Sequence, residues 1–237
     1  MKIAVKFLVL VLLFLIVSLG IVAATNGCDL GDSECGSTPT DNCDVTQDTI
    51  FNPGIYNLPQ GVDICVNNVV LDCNGATLQS TDTGIGIYNG GHNNVVIKNC
   101  NLNNYINGIE ILYNAQFNVI NNNNLTNSES YGIRVYNNDI NILNNYLNIT
   151  NNNIVSGFAG IRIHNANSTR IQDNNINSLN IGIYMSIAYD NEILTNKIKN
   201  YGVGIWSPNS VDNDIYANII KDNGIGIQWF GGAKNLI

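Results

Sequence analysis

Glu110, Arg134, Arg162, Tyr184 and Trp206 each stand two places after a glycine: Gly108, Gly132, Gly160, Gly182 and Gly204. Two places further on stand Tyr136 and His164. If those glycines occupy equivalent positions, the side chains fall into columns on one surface. Such a surface holds two of the three arginines, one of the two histidines and several aromatics. Arginine and histidine bind hydroxyls and carboxylates, and aromatic rings stack on sugar rings, so the pattern suits an extended glycan. A passive surface has the same composition: Glu110 and Arg134 would then be a cross-strand ion pair, and aromatics favour sheet surfaces anyway. A third reading is catalysis, with Arg134, Arg162 and His164 neutralising charge or acting as base.

The glycines are part of a repeat. Ile149, Ile171, Ile193, Ile215 and Ile237 are spaced by 22 residues, with Ile120, Ile97 and Leu71 upstream at slightly larger steps. An asparagine follows three places later at Asn123, Asn152, Asn174, Asn196 and Asn218, then an aliphatic residue two places on. Several columns agreeing at this period mean a solenoid. No segment between the glycines carries a helical period, and what recurs is Gly-Ile-x-Ile alternation bounded by Asn and Gly. The expected fold is all-β, a right-handed parallel β-helix with about 22 residues and three short strands per coil. Seven such coils make a rod of roughly 35 Å. The leucine-rich repeat, a competing solenoid, is disfavoured by scarce leucine and the lack of a helical half-repeat.

Counted from each glycine, the +2 column reads Gly86, Glu110, Arg134, Arg162, Tyr184, Trp206 and Gln228, and the +4 column includes Tyr88, Tyr136, His164 and Phe230. The 45 asparagines have a structural reason: stacked amides bond from coil to coil, and Asn tolerates the left-handed backbone of a sharp corner. One coil is longer, with 28 residues from Gly132 to Gly160, and the excess lies in YNNDINILNNYLN at 136–148. It reads as a loop at one corner.

A second constellation is acidic. Asp190 and Asp212 are 22 apart, as are Glu192 and Asp214, so four carboxylates stack at one corner. Like charges in register favour a cation, and Ca²⁺ is the metal such oxygens would hold. Arg170 and Lys234, one coil away on either side, could neutralise them instead.

Residues 1–24 have Lys2 and Lys6, an apolar run from Phe7, and Ala23-Ala24, the features of a secretory signal peptide, with an uncleaved anchor as the alternative. Residues 25–64 read as a cysteine-containing linker and N-terminal cap, and 65–237 as the β-helix. Either reading of the leader places the chain outside the cytoplasm, secreted, at the cell surface or in the periplasm. Six cysteines without a CxxC pair argue for disulfides over zinc. Cys73 and Cys100 fall in adjacent coils, within Cα range of each other but slightly far apart at Cβ; Cys43 with Cys65 is the preferred pair, closing the cap. Net charge −8 with ten basic residues excludes a nucleic-acid partner. AKNLI at 233–237 aligns with the start of another coil. The rod is thus expected to be a fragment or to meet a capping partner.

The strings NVVLDCNGATL at 68–78 and NVVIKNCNL at 94–102, with the GI-x-I repeats, resemble NosD-type right-handed β-helix proteins of the pectin-lyase-like superfamily. The resemblance covers roughly residues 43–237, and the part between Cys43 and Cys65 resembles the capping coil of such proteins. It implies an exported β-helix in a superfamily of polysaccharide lyases, hydrolases, carbohydrate-binding modules and surface proteins. NosD itself is associated with maturation of a copper site. Here the soft or imidazole ligands beyond Met1 are His92, His164, Met185 and the cysteines, with the histidines three coils apart. They form no copper set. The leading expectation is a protein binding a polysaccharide or cell-surface glycan on one outer sheet face. The alternatives are a polysaccharide lyase or hydrolase, a structural stalk, or a NosD-type copper maturation factor.

Overall fold

The computed structural model describes residues 28, 32–113, 115–138, 145–200 and 202–231. The leader at 1–24, the middle of the long loop at 139–144, and AKNLI with Lys234 lie outside the described residues.

Isoleucine and leucine at one inward position per strand, with polar neighbours, fit a pleat buried on one side. Among the described residues every named element is a strand, and the strands form three parallel sheets. Sheet A has nine strands: Cys43–Val45, Val62–Ile64, Ile85–Asn89, Asn107–Leu112, Tyr131–Tyr136, Ala159–His164, Ile181–Ser186, Val203–Pro208 and Ile225–Phe230. Sheet B has eight, from Thr49–Ile50 to Asp214–Tyr216, and sheet C eight, from Ile55–Asn57 to Ile219–Lys221. The chain visits A, B and C in turn, which makes a parallel β-helix of about eight turns. That is one more than the repeat alone suggested, because the cap segment 43–64 itself gives a strand to each sheet.

The interior is a stack of aliphatic columns. Ile109, Ile133, Ile161, Ile183 and Ile205 come from sheet A; Ile120, Ile149, Ile171 and Ile193 from sheet B; Leu125, Ile154, Ile176 and Ile198 from sheet C, and all are buried. Each contributes about 1.5–3 kcal/mol on burial.

The B–C corner turns on one left-handed residue per coil: Asn99, Asn122, Asn151, Asp173, Thr195 and Ala217, with φ between 55 and 58°. The ladder asparagine is the next residue, so the corner and the ladder use neighbouring positions rather than the same one. Asn174 Oδ1 accepts from the backbone N and Nδ2 of Asn152 at 2.9 and 3.0 Å, while Asn174 Nδ2 donates to Asn196 Oδ1 at 3.0 Å and Ile149 O at 2.8 Å. Asn123, Asn152, Asn196 and Asn218 continue this pattern. The glycine column answers a different constraint. A Cβ on Gly160 would lie 2.2 Å from Ile176 Cγ2 and 2.8 Å from Gly182 O, because the start of the sheet A strand lies against the core isoleucine and the sheet A backbone of the next coil.

Disulfides join Cys28 to Cys65, Cys35 to Cys43, and Cys73 to Cys100. The preferred Cys43–Cys65 pair is therefore corrected. Register sets Val62, not Cys65, beside Cys43, which leaves Cys65 about 10 Å further along the strand. Cys35 instead reaches Cys43 because its segment bridges to the first strand at Glu34 and Asp44. Cys73 and Cys100 do meet, at a Cα separation of 4.7 Å.

Asn174→Leu keeps the volume but strands the Asn152 N–H and the Ile149 carbonyl, and is expected to lower unfolding free energy by about 3 kcal/mol in urea titration. Ala217→Asn, placing at the corner the residue that coils 99, 122 and 151 use, is expected to raise it by about 1 kcal/mol.

Candidate functional site

Parallel register stacks outward side chains of sheet A in rungs about 4.8 Å apart. One ladder begins Asp44, Asp63, Tyr88, Glu110. It continues Arg134, Arg162, Tyr184, Trp206, Gln228. A second ladder, two residues later, holds Leu112, Tyr136, His164 and Ser186. The +2 column is corrected at one end: Tyr88, not Gly86, stands beside Glu110. Asp44 and Asp63, invisible to the glycine count, extend the column below it.

Within the ladder the charges differ in their partners. Glu110 is 3% exposed. It accepts from Arg134 Nη1 at 2.6 Å and from Asn107 Nδ2, so both carboxylate oxygens are engaged. Arg162, one rung on, has no carboxylate within ion-pair distance among the described residues. Its Nη1 donates to Tyr131 Oη at 3.0 Å. Its guanidinium carbon lies 5.3, 5.5 and 5.6 Å from the ring centres of Tyr131, Tyr136 and Tyr184. Ring quadrupoles steady such a cation without neutralising it.

The rings are arranged along the helix axis. Tyr136 stacks on His164 at 4.6 Å and Tyr184 on Trp206 at 4.7 Å, with interplanar angles of 12 and 10°. Their faces are turned to one another, so a ligand lying on the sheet meets ring edges, hydroxyls and guanidinium rather than a flat platform. Tyr131, packed edge-on against Phe158 at 5.7 Å, was not legible from the columns. Its rung partners are Asn107 and Ala159, and only the break in that column marks it.

His164 Nδ1 is 2.6 Å from Ser186 Oγ. Burial holds its imidazole below the ordinary value, and Arg162 and Arg134 push the same way. Burial first, then Tyr113, Glu110 and Asp63, pushes the Tyr88 phenol up to about 12.

The acidic corner does not close. Among the described residues no three of Asp190, Glu192, Asp212 and Asp214 bring ligand oxygens within 4.8 Å of one another, and Glu192 is taken by Arg170 at 3.5 Å. Asp190 and Asp212 sit at left-handed corner positions with φ 54°. Their 22-residue spacing thus also follows from the turn. The soft donors are equally dispersed. Every cysteine is in a disulfide, and Met185 faces the core. His92 lies three coils from His164, about 14 Å along the axis. The one cluster of possible metal donors among the described residues, Cys28, Asp44 and Cys65, contains a disulfide and so lacks thiolates. A groove of about 430 Å³ runs along the B–C corner and is lined by asparagines, among them Asn99, Asn122 and Asn153, whose amides already bond from coil to coil.

The sign of the His164 shift gives a test. A depressed imidazole contributes stability above the ordinary value near 6.5, and that stability is lost as pH falls through the folded value. NMR titration should find His164 midway protonated below pH 6.5, and Arg162→Gln should move its midpoint upward.

Comparison with known proteins follows from this geometry. No curated protein sequence matches the chain. Two solved structures share its fold. The Azotobacter vinelandii mannuronan C-5 epimerase AlgE6 A-module aligns over 81% of this chain and 64% of its own, at 14% identity and TM-score 0.54. The periplasmic alginate epimerase AlgG aligns over 79% of this chain and 49% of its own, at 16% identity and TM-score 0.54. The chain thus spans less than two thirds of either, and at such identities the likeness is one of fold. The sequence pattern of the family described as periplasmic copper-binding protein (NosD) matches residues 38–201 and 147–237. With the repeat, the three parallel sheets and this match over most of its length, the chain belongs to the NosD family.

Proposed function

We propose that the outer face of sheet A binds a polysaccharide, and that the polymer carries carboxylates. The observation behind this reading is Arg162: a partly exposed guanidinium held among three tyrosine rings, beside a second arginine whose charge Glu110 already balances. An uncompensated cation in an acidic chain is a site waiting for an anion. Tyrosine hydroxyls and the His164 ring around it supply hydrogen-bonding groups for sugar hydroxyls. The two solved structures of like fold are named as epimerases of mannuronan and alginate, which supports a uronate polymer as the class.

Binding is favoured over hydrolysis. Glu110, the acid nearest the arginines, has both oxygens engaged and is buried, whereas a hydrolase needs two carboxyls free to move protons. The copper named in the family description does not fit this chain. Its thiols are oxidised, its single core methionine faces inward, and the histidine nearest the arginines would hold a cation against two positive charges. The three disulfides fit an oxidising compartment, so we infer that the protein works in the periplasm or outside the cell.

Titration calorimetry with oligomannuronate and oligogalacturonate tests the reading. At least one should bind, more weakly as salt rises. Arg162→Gln should cost at least about tenfold, or ~1.4 kcal/mol. No uronate binding, or binding unchanged in Arg162→Gln, would overturn it.

A further inference from the structure

The corner between sheets A and B carries a feature that the sheet A face does not explain. One left-handed column there reads Asn68, Asn94, Phe117, Tyr146, Ser168, Asp190 and Asp212, and a second, three or four residues earlier, includes Tyr113, Asn165, Ile187 and Asn209. Asparagine, aspartate and serine suit that backbone because a short polar side chain bonds locally. Phe117 and Tyr146, with φ 57 and 48°, do not. Nor are they repaid by burial, since they are 52% and 46% exposed. Their rings stack at 5.1 Å and 5° on adjacent coils. A strained, exposed aromatic pair in a column otherwise free of aromatics points outward to a ligand.

The next rung continues the feature with polar groups. Register sets Asn148 beside Arg170, and Arg170 N donates to Leu147 O at 2.8 Å, so Tyr146 stands one rung from Ser168. There a notch of about 160 Å³ is lined by Ser168, Thr169, Arg170, Asp190 and Glu192. This is smaller than the ~300–1,000 Å³ of drug-sized pockets and suits one ring. Thr169 is 1% exposed, and its Oγ1 has no hydrogen-bond partner among the described residues. Buried hydroxyls are seldom left so.

We propose that the Phe117–Tyr146 stack and this notch form a second carbohydrate site, for one neutral pyranose unit of a glycan. Asp190, and Glu192 beside its partner Arg170, would accept from sugar hydroxyls and disfavour a uronate, the opposite preference to Arg162. Arg170 and the Thr169 hydroxyl supply donors, and the aromatic pair gives an apolar wall beside them. The site is independent of the sheet A reading and stands or falls separately.

The test is calorimetry of the full chain with three neutral probes, cellohexaose, mannohexaose and chitohexaose. At least one should bind. The double variant Phe117→Asn with Tyr146→Asn should lose at least tenfold in affinity while its Tm stays level or rises, since asparagine suits the corner. Thr169→Val, which removes the buried hydroxyl, should also weaken binding without lowering Tm. Arg162→Gln should leave neutral binding unchanged. The proposal is overturned if none of the three probes binds, or if the double variant binds as tightly as the parent. It is overturned equally if the double variant's Tm falls, which would make the aromatics structural, or if Arg162→Gln abolishes neutral binding, which would place the sugar on sheet A.

Discussion

Everything in this molecule depends on the satisfaction of backbone amides at a corner that has left the sheet. A parallel coil must turn about three times in 22 residues, and each turn removes N–H and C=O groups from the ladder while keeping them out of water. At the B–C corner a buried asparagine resolves this in every coil from Asn123 to Asn196, giving its oxygen to one neighbouring coil and its NH₂ to the other. Because that exchange works only at one rise and one rotation, it locks the coils in register. Cys100 occupies the same column, and its backbone N donates to Asn123 Oδ1 at 3.0 Å. The Cys73–Cys100 disulfide is a covalent rung beside the amide ones.

Strict register makes the surface. Side chains far apart in sequence come within a rung of each other, and their chemistry then depends on which neighbours the register supplies. Arg134 and Arg162 are the same residue type in the same column, yet one has Glu110 below it and the other has tyrosine rings around it. The first is balanced by an ion pair, and the second has no carboxylate partner among the described residues. The same stacking that concentrates the aromatics turns their faces to one another, which redirects the chemistry of the face from ring stacking to hydrogen bonding and charge.

The fold was legible because its signal is repeated: isoleucine, asparagine and glycine columns each report one constraint many times. What is not repeated was harder to read. The glycine count puts Tyr88 in the neighbouring ladder because Gly84 and Gly86 both precede an isoleucine, and only hydrogen bonding decides between them. The spacing of Asp190 and Asp212 reveals that they stack but not whether their oxygens converge. The sequence favours Cys43 with Cys65 because the approach of the segment carrying Cys28 and Cys35 is a tertiary fact with no period. Tyr131 and the Phe117–Tyr146 pair break the residue type of their columns, and in a repeat protein such departures mark individuality.

The three disulfides all lie before residue 101, and the described coils beyond them are joined by hydrogen bonds, ion pairs and side-chain packing, with no disulfide among them. A solenoid whose stability is a sum of neighbour terms then has a direction built into its failure. Under heat or traction, an unfolding front would start among the later coils and travel toward the stapled ones, halting at the Cys73–Cys100 rung. The Trp206 and Arg162 rungs would be lost in that order, and the amino-terminal turns would persist as a template on which the rest could rewind.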